Sequence, residues 1–354
     1  MNRLFDGLMF RAGVMPVPIA CVLALVLTST ALAGGTHSAH EVPQLLGQPK
    51  TTVTYEGNRV TVTFGPVDLP SGHDGELAAS LPKHVFGLPE DMTMVGFQSS
   101  VFLKDGTPLP RQYLHHILLI NQDKDSVSCP GEPLFFAGAG LEMTEARFPP
   151  GYGVKFAKGQ KLMAIAAFYH GVPRTKDVMA SFTMEMAPKG AVLQALDVYQ
   201  VGVNTVCYSQ FPKRRTDETD EGIEVRPGVQ IDRAPLKFRM DGCVKFAYPH
   251  GHDQVLLIAL ENRTAQRTLL RTVPDVGPDG AFLSFLPHQI YHSTQGFGVN
   301  RDDAYEVVMV HHRPLHDPQP NHGMGNYLLY MTPSECPSTP AQDREPVPRL
   351  GSGP

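Results

Sequence analysis

The chain has 354 residues, with Lys+Arg 30 against Asp+Glu 35, Gly 33, Pro 32, five Cys and no Trp. Charged residues at 18% and hydrophobic ones at 42% exclude a disordered chain and a coiled coil, and the Gly and Pro content calls for many turns and few long helices. A formal charge of -5 without a basic stripe argues against a nucleic-acid partner. Fifteen His are the outlying count, since a metal site or a pH switch is what readily uses so many.

Residues 1–33 read as a secretory signal. Arg3 and Arg11 supply positive charge, the run 17–32 is apolar, and Ala31-Leu32-Ala33 is a small-residue cleavage site. The run is short for a membrane span and no other segment is long and apolar enough, so no stable membrane insertion is expected after cleavage. Cleavage removes Cys21 and leaves Cys129, Cys207, Cys243 and Cys336, which fits two disulfides without fixing their pairing. The expected compartment is oxidising and extracytoplasmic, either secreted or periplasmic. Asn262-Arg263-Thr264 forms a glycosylation sequon.

Apolar runs of strand length, rich in β-branched or aromatic residues, recur at 51–55, 59–64, 114–121, 161–170, 192–203, 237–248, 255–260 and 305–312. Between them lie Gly, Pro and Asp clusters. Only 142–148 reads as a helical turn, and the charged stretch 212–228 reads as a solvated loop. The pattern predicts an all-β protein of two antiparallel β-sandwich domains, 34–188 and 189–335, meeting near Ala187-Pro188-Lys189-Gly190. Residues 336–354 read as a Pro-rich tail.

Several His lie in or at the end of apolar strands. Alternation puts His115 on the face of Tyr113, Ile117 and Leu119, and His116 on that of Leu114, Leu118 and Ile120. Adjacent His on a strand share a metal only where the backbone is kinked or one ring reaches round an edge. His170 ends an apolar stripe of Leu162, Ala164, Ala166 and Phe168. In VKFAYPHGH, Val244, Phe246, Tyr248, His250 and His252 are expected to point one way, which sets two imidazoles side by side as a metal chelate requires. Met324 stands between Gly323 and Gly325 at the mouth of the strand 327–331, poorly placed for core packing, and a thioether favours Cu(I).

The order His-His, His, His-x-His, Met resembles that of the copper type II, ascorbate-dependent monooxygenases, the peptidylglycine α-hydroxylating and dopamine β-monooxygenase family. The segments that carry it are YLHHILLIN, the GYGVKF to FYHG stretch, FAYPHGH and HGMGNYLLYM. The resemblance implies two jelly-roll-like β-sandwiches, each with one copper, across a solvent-filled cleft. It implies that His115, His116 and His170 hold an electron-donating copper, and that His250, His252 and Met324 hold the catalytic one. It further implies ascorbate as reductant, O2 as co-substrate and hydroxylation of a C–H bond of a small-molecule substrate. A three-ligand site leaves an open position, and a soft thioether stabilises the reduced ion. Cys243–Cys336 is the pairing the family implies, with Cys129–Cys207 remaining. The Arg and Tyr with which peptide-amidating members clamp a carboxylate are replaced here by Tyr248 and Leu328, and only Asn326 keeps its place.

Two other chemistries compete. A non-catalytic copper protein for storage, delivery or sensing would keep the ligands and lose the substrate pocket. A cupin-type iron site on His250-x-His252 wants a Glu three to five residues later, where Val255, Leu256 and Leu257 stand. No G-x-S-x-G elbow or phosphate-cradling Gly loop occurs. Asp253 is a candidate to orient a ligand ring. His311 and His312 read as surface or loop residues, as do His288, His292, His316 and His322.

Overall fold

A computed structural model describes residues 50–69, 77–80, 83–169, 173–203, 218–219, 222–251, 254–277, 282–285, 289–313, 321–334 and 336. All belong to one compact unit, Val42–Pro354. The segment expected as a signal (1–33), most of the expected tail, and His288 and His316 lie outside the described residues. The chain is all-β: among the described residues helical conformation is confined to short 3-10 pieces such as Arg111–Tyr113, and no helix there is long and apolar enough to cross a membrane.

Four sheets carry the architecture. The first runs Lys50–Glu56, Arg59–Leu69, Thr175–Met186, Met92–Leu103, Tyr152–Phe156 and Gln194–Ala195, with Glu145–Arg147 beside Met92–Leu103. The second runs Leu77–Ser80, Lys161–Tyr169, Leu114–Asp125 and Pro133–Gly140. The third runs Asp197–Gly202, Gly325–Thr332, Gly242–Gly251 and Tyr291–Val299. The fourth runs Gly228–Leu236, Tyr305–Arg313, Val255–Asn262 and Arg267–Thr272. Residues 142–148, expected as a helical turn, instead contain the strand Glu145–Arg147, because its backbone pairs with Gly96, Phe97 and Gln98. The stretch 212–228 is not wholly loop. Its described strands Glu218–Thr219 and Gly222–Val225 pair in series with Asn321–Gly323, just before Met324.

Period-two alternation builds the first core. Val60, Val62 and Phe64 point inward while Thr61 and Thr63 stay half-buried, and the Thr61 hydroxyl meets that of Thr183 across the ladder at 2.9 Å. The third sheet is different, since both its faces are covered. Leu328 and Tyr330 join the core of the first two sheets, while Tyr327, Leu329 and Met331 pack with Val255, Ile258 and Val307 of the fourth. A strand buried on both sides reads as an unbroken apolar run, which is what YLLYM is.

Hydroxyls tie the third sheet to the Pro133–Gly140 strand. Tyr248 Oη accepts from the Gly138 N–H and donates to its carbonyl, both at 3.0 Å, and Tyr330 Oη donates to the Phe136 carbonyl at 2.9 Å. The Cys243–Cys336 disulfide closes the other end of the Gly242–Gly251 strand. Cys129 is also disulfide-bonded, to a partner outside the described residues. The sequon residue Asn262 is buried, its amide donating to Asp303 at 2.7 Å, so the folded chain does not present it for glycosylation.

Candidate metal centre

Two of the histidine-bearing strands, Leu114–Asp125 and Gly242–Gly251, each carry a β-bulge, and the bulges decide which way their side chains face. In Leu114–Asp125, His116 pairs with Ala167 but Leu114 pairs with the next residue, Phe168, so His115 is the extra residue. A bulge bends the strand locally and re-aims a side chain. Leu114 therefore shares the first core with Ile117 and Leu119, correcting the simple alternation expected from sequence. His115 is buried and its ring lies 4.3 Å, centroid to centroid, from that of His116, tilted by 48°. The backbone is therefore kinked between these two adjacent imidazoles.

The second bulge is at Lys245, where Val244 pairs with Met331 but Phe246 pairs with Tyr330. Val244 consequently faces the second core and Phe246 and Tyr248 the first, so the expected single row from Val244 to His252 is broken. Lys245 is 3% exposed and donates to the carbonyls of Thr294 and Gln295, both at 2.9 Å, with Tyr152 beneath its ammonium. A buried cation persists only with such partners.

His250 lies beyond the bulge, opposite Asn326. Its Nδ1 is 2.5 Å from Oε1 of Glu142, whose side chain is 6% exposed. Glu142 follows the Pro133–Gly140 strand, and Gly140 pairs with His116. The contact thus joins the chain's second half to the neighbourhood of His115 and His116. Burial opposes charge on the His250 ring, but the Glu142 carboxylate outweighs it and raises the pKa. His116 goes the other way, because burial first and the charge of His250 second push it down to about 3. It stays a neutral imidazole, the form that binds metal.

Met324 is a half-buried residue between the strands Asn321–Gly323 and Gly325–Thr332, and its carbonyl faces Gly251. Its flanking glycines are there for close approach. A Cβ at Gly323 would stand 2.3 Å from His311 Nε2, and one at Gly325 2.0 Å from Met309 Sδ.

His170 and His252, one from each expected ligand set, lie outside the described residues, as does Asp253. Among the described residues no three His, Cys, Asp or Glu side chains are gathered as a metal would need. The described donors, imidazoles and one thioether, suit copper in both oxidation states. Tyr248 and Leu328, which the sequence resemblance set against carboxylate-clamp residues, are core residues, and Asn326 is buried as well.

Sequence reasoning missed Glu142, although a Glu between Leu141 and Met143 in an apolar context signals burial, and buried Glu is rare unless paired. His311, expected at the surface, is fully buried, with Nδ1 3.4 Å from Asp232 Oδ2, because its strand is central in the fourth sheet. His312 is exposed, and the ring of His292 stands edge-on to Phe246. The His322 side chain is outside the described residues. No protein-family model matches this chain, and no curated protein matches it either.

Proposed function

We propose that this protein is an extracytoplasmic copper monooxygenase that hydroxylates a C–H bond of a small organic substrate, with ascorbate as reductant. The observation that carries the reading is the bulge at His115, which brings the rings of His115 and His116 to 4.3 Å at the buried end of the Leu114–Asp125 strand. The ligand sets proposed are His115, His116 and His170 for one ion and His250, His252 and Met324 for the other, in two sandwich domains. Copper held there would supply one-electron transfer and reactivity toward O2.

The chain's own contribution is placement. The bulge aims two neighbouring imidazoles, Glu142 holds the His250 ring, and the glycines beside Met324 let its backbone run close to His311 and Met309. Disulfides at Cys243–Cys336 and Cys129 fit an oxidising compartment.

A second reading, a copper storage or delivery protein without turnover, is favoured by one observation. Tyr248 and Leu328 are packed into the core where family members that amidate peptides clamp their substrate. Metal analysis of the purified protein followed by ascorbate-dependent O2 uptake against phenethylamines and acyl-glycines separates the two. Two coppers with coupled turnover support the enzyme, and two coppers without it support the binder. Failure to take up copper overturns both.

A further inference from the structure

We propose that Glu142 is a positioning residue for His250, holding its ring with Nδ1–H donated to the carboxylate so that a metal on this residue binds through Nε2. The inference rests on the copper reading above, but on different atoms. His250 Nδ1 and Glu142 Oε1 are 2.5 Å apart, a charge-assisted length, and the two side chains are 18% and 6% exposed. Glu142 approaches from the opposite half of the chain, 108 residues away in sequence.

The carboxylate is itself held in a narrow place. A Cβ at Gly140 would lie 2.7 Å from Glu142 Oε2, so the glycine makes room for it, and the Gly140 N–H donates to the Met143 carbonyl, closing the bend that carries Glu142. The Leu141 carbonyl is fixed by Arg111 at 3.4 Å. A buried carboxylate on the far nitrogen of a ligating His fixes its tautomer and orientation and makes it more basic; losing such a partner typically costs 10- to 100-fold in metal affinity.

The test uses the purified protein with 15N-labelled histidine. Ring nitrogens of His250, assigned by their loss in His250→Ala, are read by NMR in the copper-free protein at a pH where the ring is neutral. The Nδ1–H tautomer is expected in the wild type and in Glu142→Gln, whose amide oxygen still accepts. A mixture is expected in Glu142→Ala, with affinity for one of two Cu(II) ions lowered about 10- to 100-fold and its EPR hyperfine splitting changed. An Nε2–H wild type, or a Glu142→Ala protein with unchanged tautomer and copper affinity, overturns the inference. A wild type with the expected tautomer that takes up no copper leaves this hydrogen bond standing and overturns the copper reading instead.

Discussion

His311 lies so close beneath Gly323 that its Nε2 stands 2.3 Å from where a side chain at that glycine would begin. The ring is fully buried and Val225 closes the same space at 2.8 Å, so neither neighbour has room to retreat. Gly323→Ala is expected to destabilise by about 1–3 kcal/mol, as overpacking does, and to displace the adjacent Met324. Gly298→Ala, whose Cβ would meet nothing nearer than 4.0 Å, is the control. Urea unfolding of the two variants checks this, and equal midpoints would remove the steric argument.

Tyr248 bonds both the N–H and the carbonyl of Gly138, and Tyr330 bonds the carbonyl of Phe136. Burial raises the pKa of both phenols, so each hydroxyl keeps its proton. Tyr248→Phe orphans two buried backbone groups and is expected to cost about 1–3 kcal/mol, and Tyr330→Phe less. Chemical unfolding measures both, and a Tyr248→Phe protein as stable as the wild type would mean these bonds do not hold the third sheet in place.

In the copper-free protein two histidines give the stability curve opposite slopes. His116 titrates near 3 when folded and near 6.5 when unfolded, so below about pH 6.5 the unfolded chain takes a proton that the folded one refuses. Stability therefore rises with pH between about 3 and 6.5 and is lost on acidification, by at most about 1.4 kcal/mol per unit. His250 is raised, so its contribution is complete below about pH 6.5 and is lost as pH rises through its folded value. Melting temperatures against pH check both arms. His116→Asn is expected to flatten the acid limb and Glu142→Gln the alkaline one, and unchanged limbs would contradict the assignment.

Met324→Ile replaces the thioether with a side chain of similar size that cannot ligate. It is expected to abolish ascorbate-dependent O2 consumption while the protein still binds copper at the histidines. Oxygen-electrode traces with parallel metal analysis measure this, and full activity in the variant would exclude Met324 from the site.

The strand class and the histidine-bearing strands 114–121 and 237–248 were legible in one dimension, because alternation and apolar runs are local properties of the chain. Alternation failed at two residues. An extra residue at His115 and another at Lys245 reverse the facing of every residue behind them, and a bulge leaves no mark in hydrophobic period. The long strands Met92–Leu103 and Thr175–Met186 escaped notice because Ser, Thr, Gln and Glu interrupt them on their half-buried face.

Residue types and their order along the chain were enough to propose a copper chemistry, since imidazole and thioether donors are recognisable wherever they stand. Which donor faces which was not, because that depends on contacts between distant segments. Glu142 reaches His250 across 108 residues, and Tyr330 reaches Phe136 across 194. Each residue reads locally as an ordinary member of its strand or turn, and packing the third sheet against the Pro133–Gly140 strand is what turns them into partners.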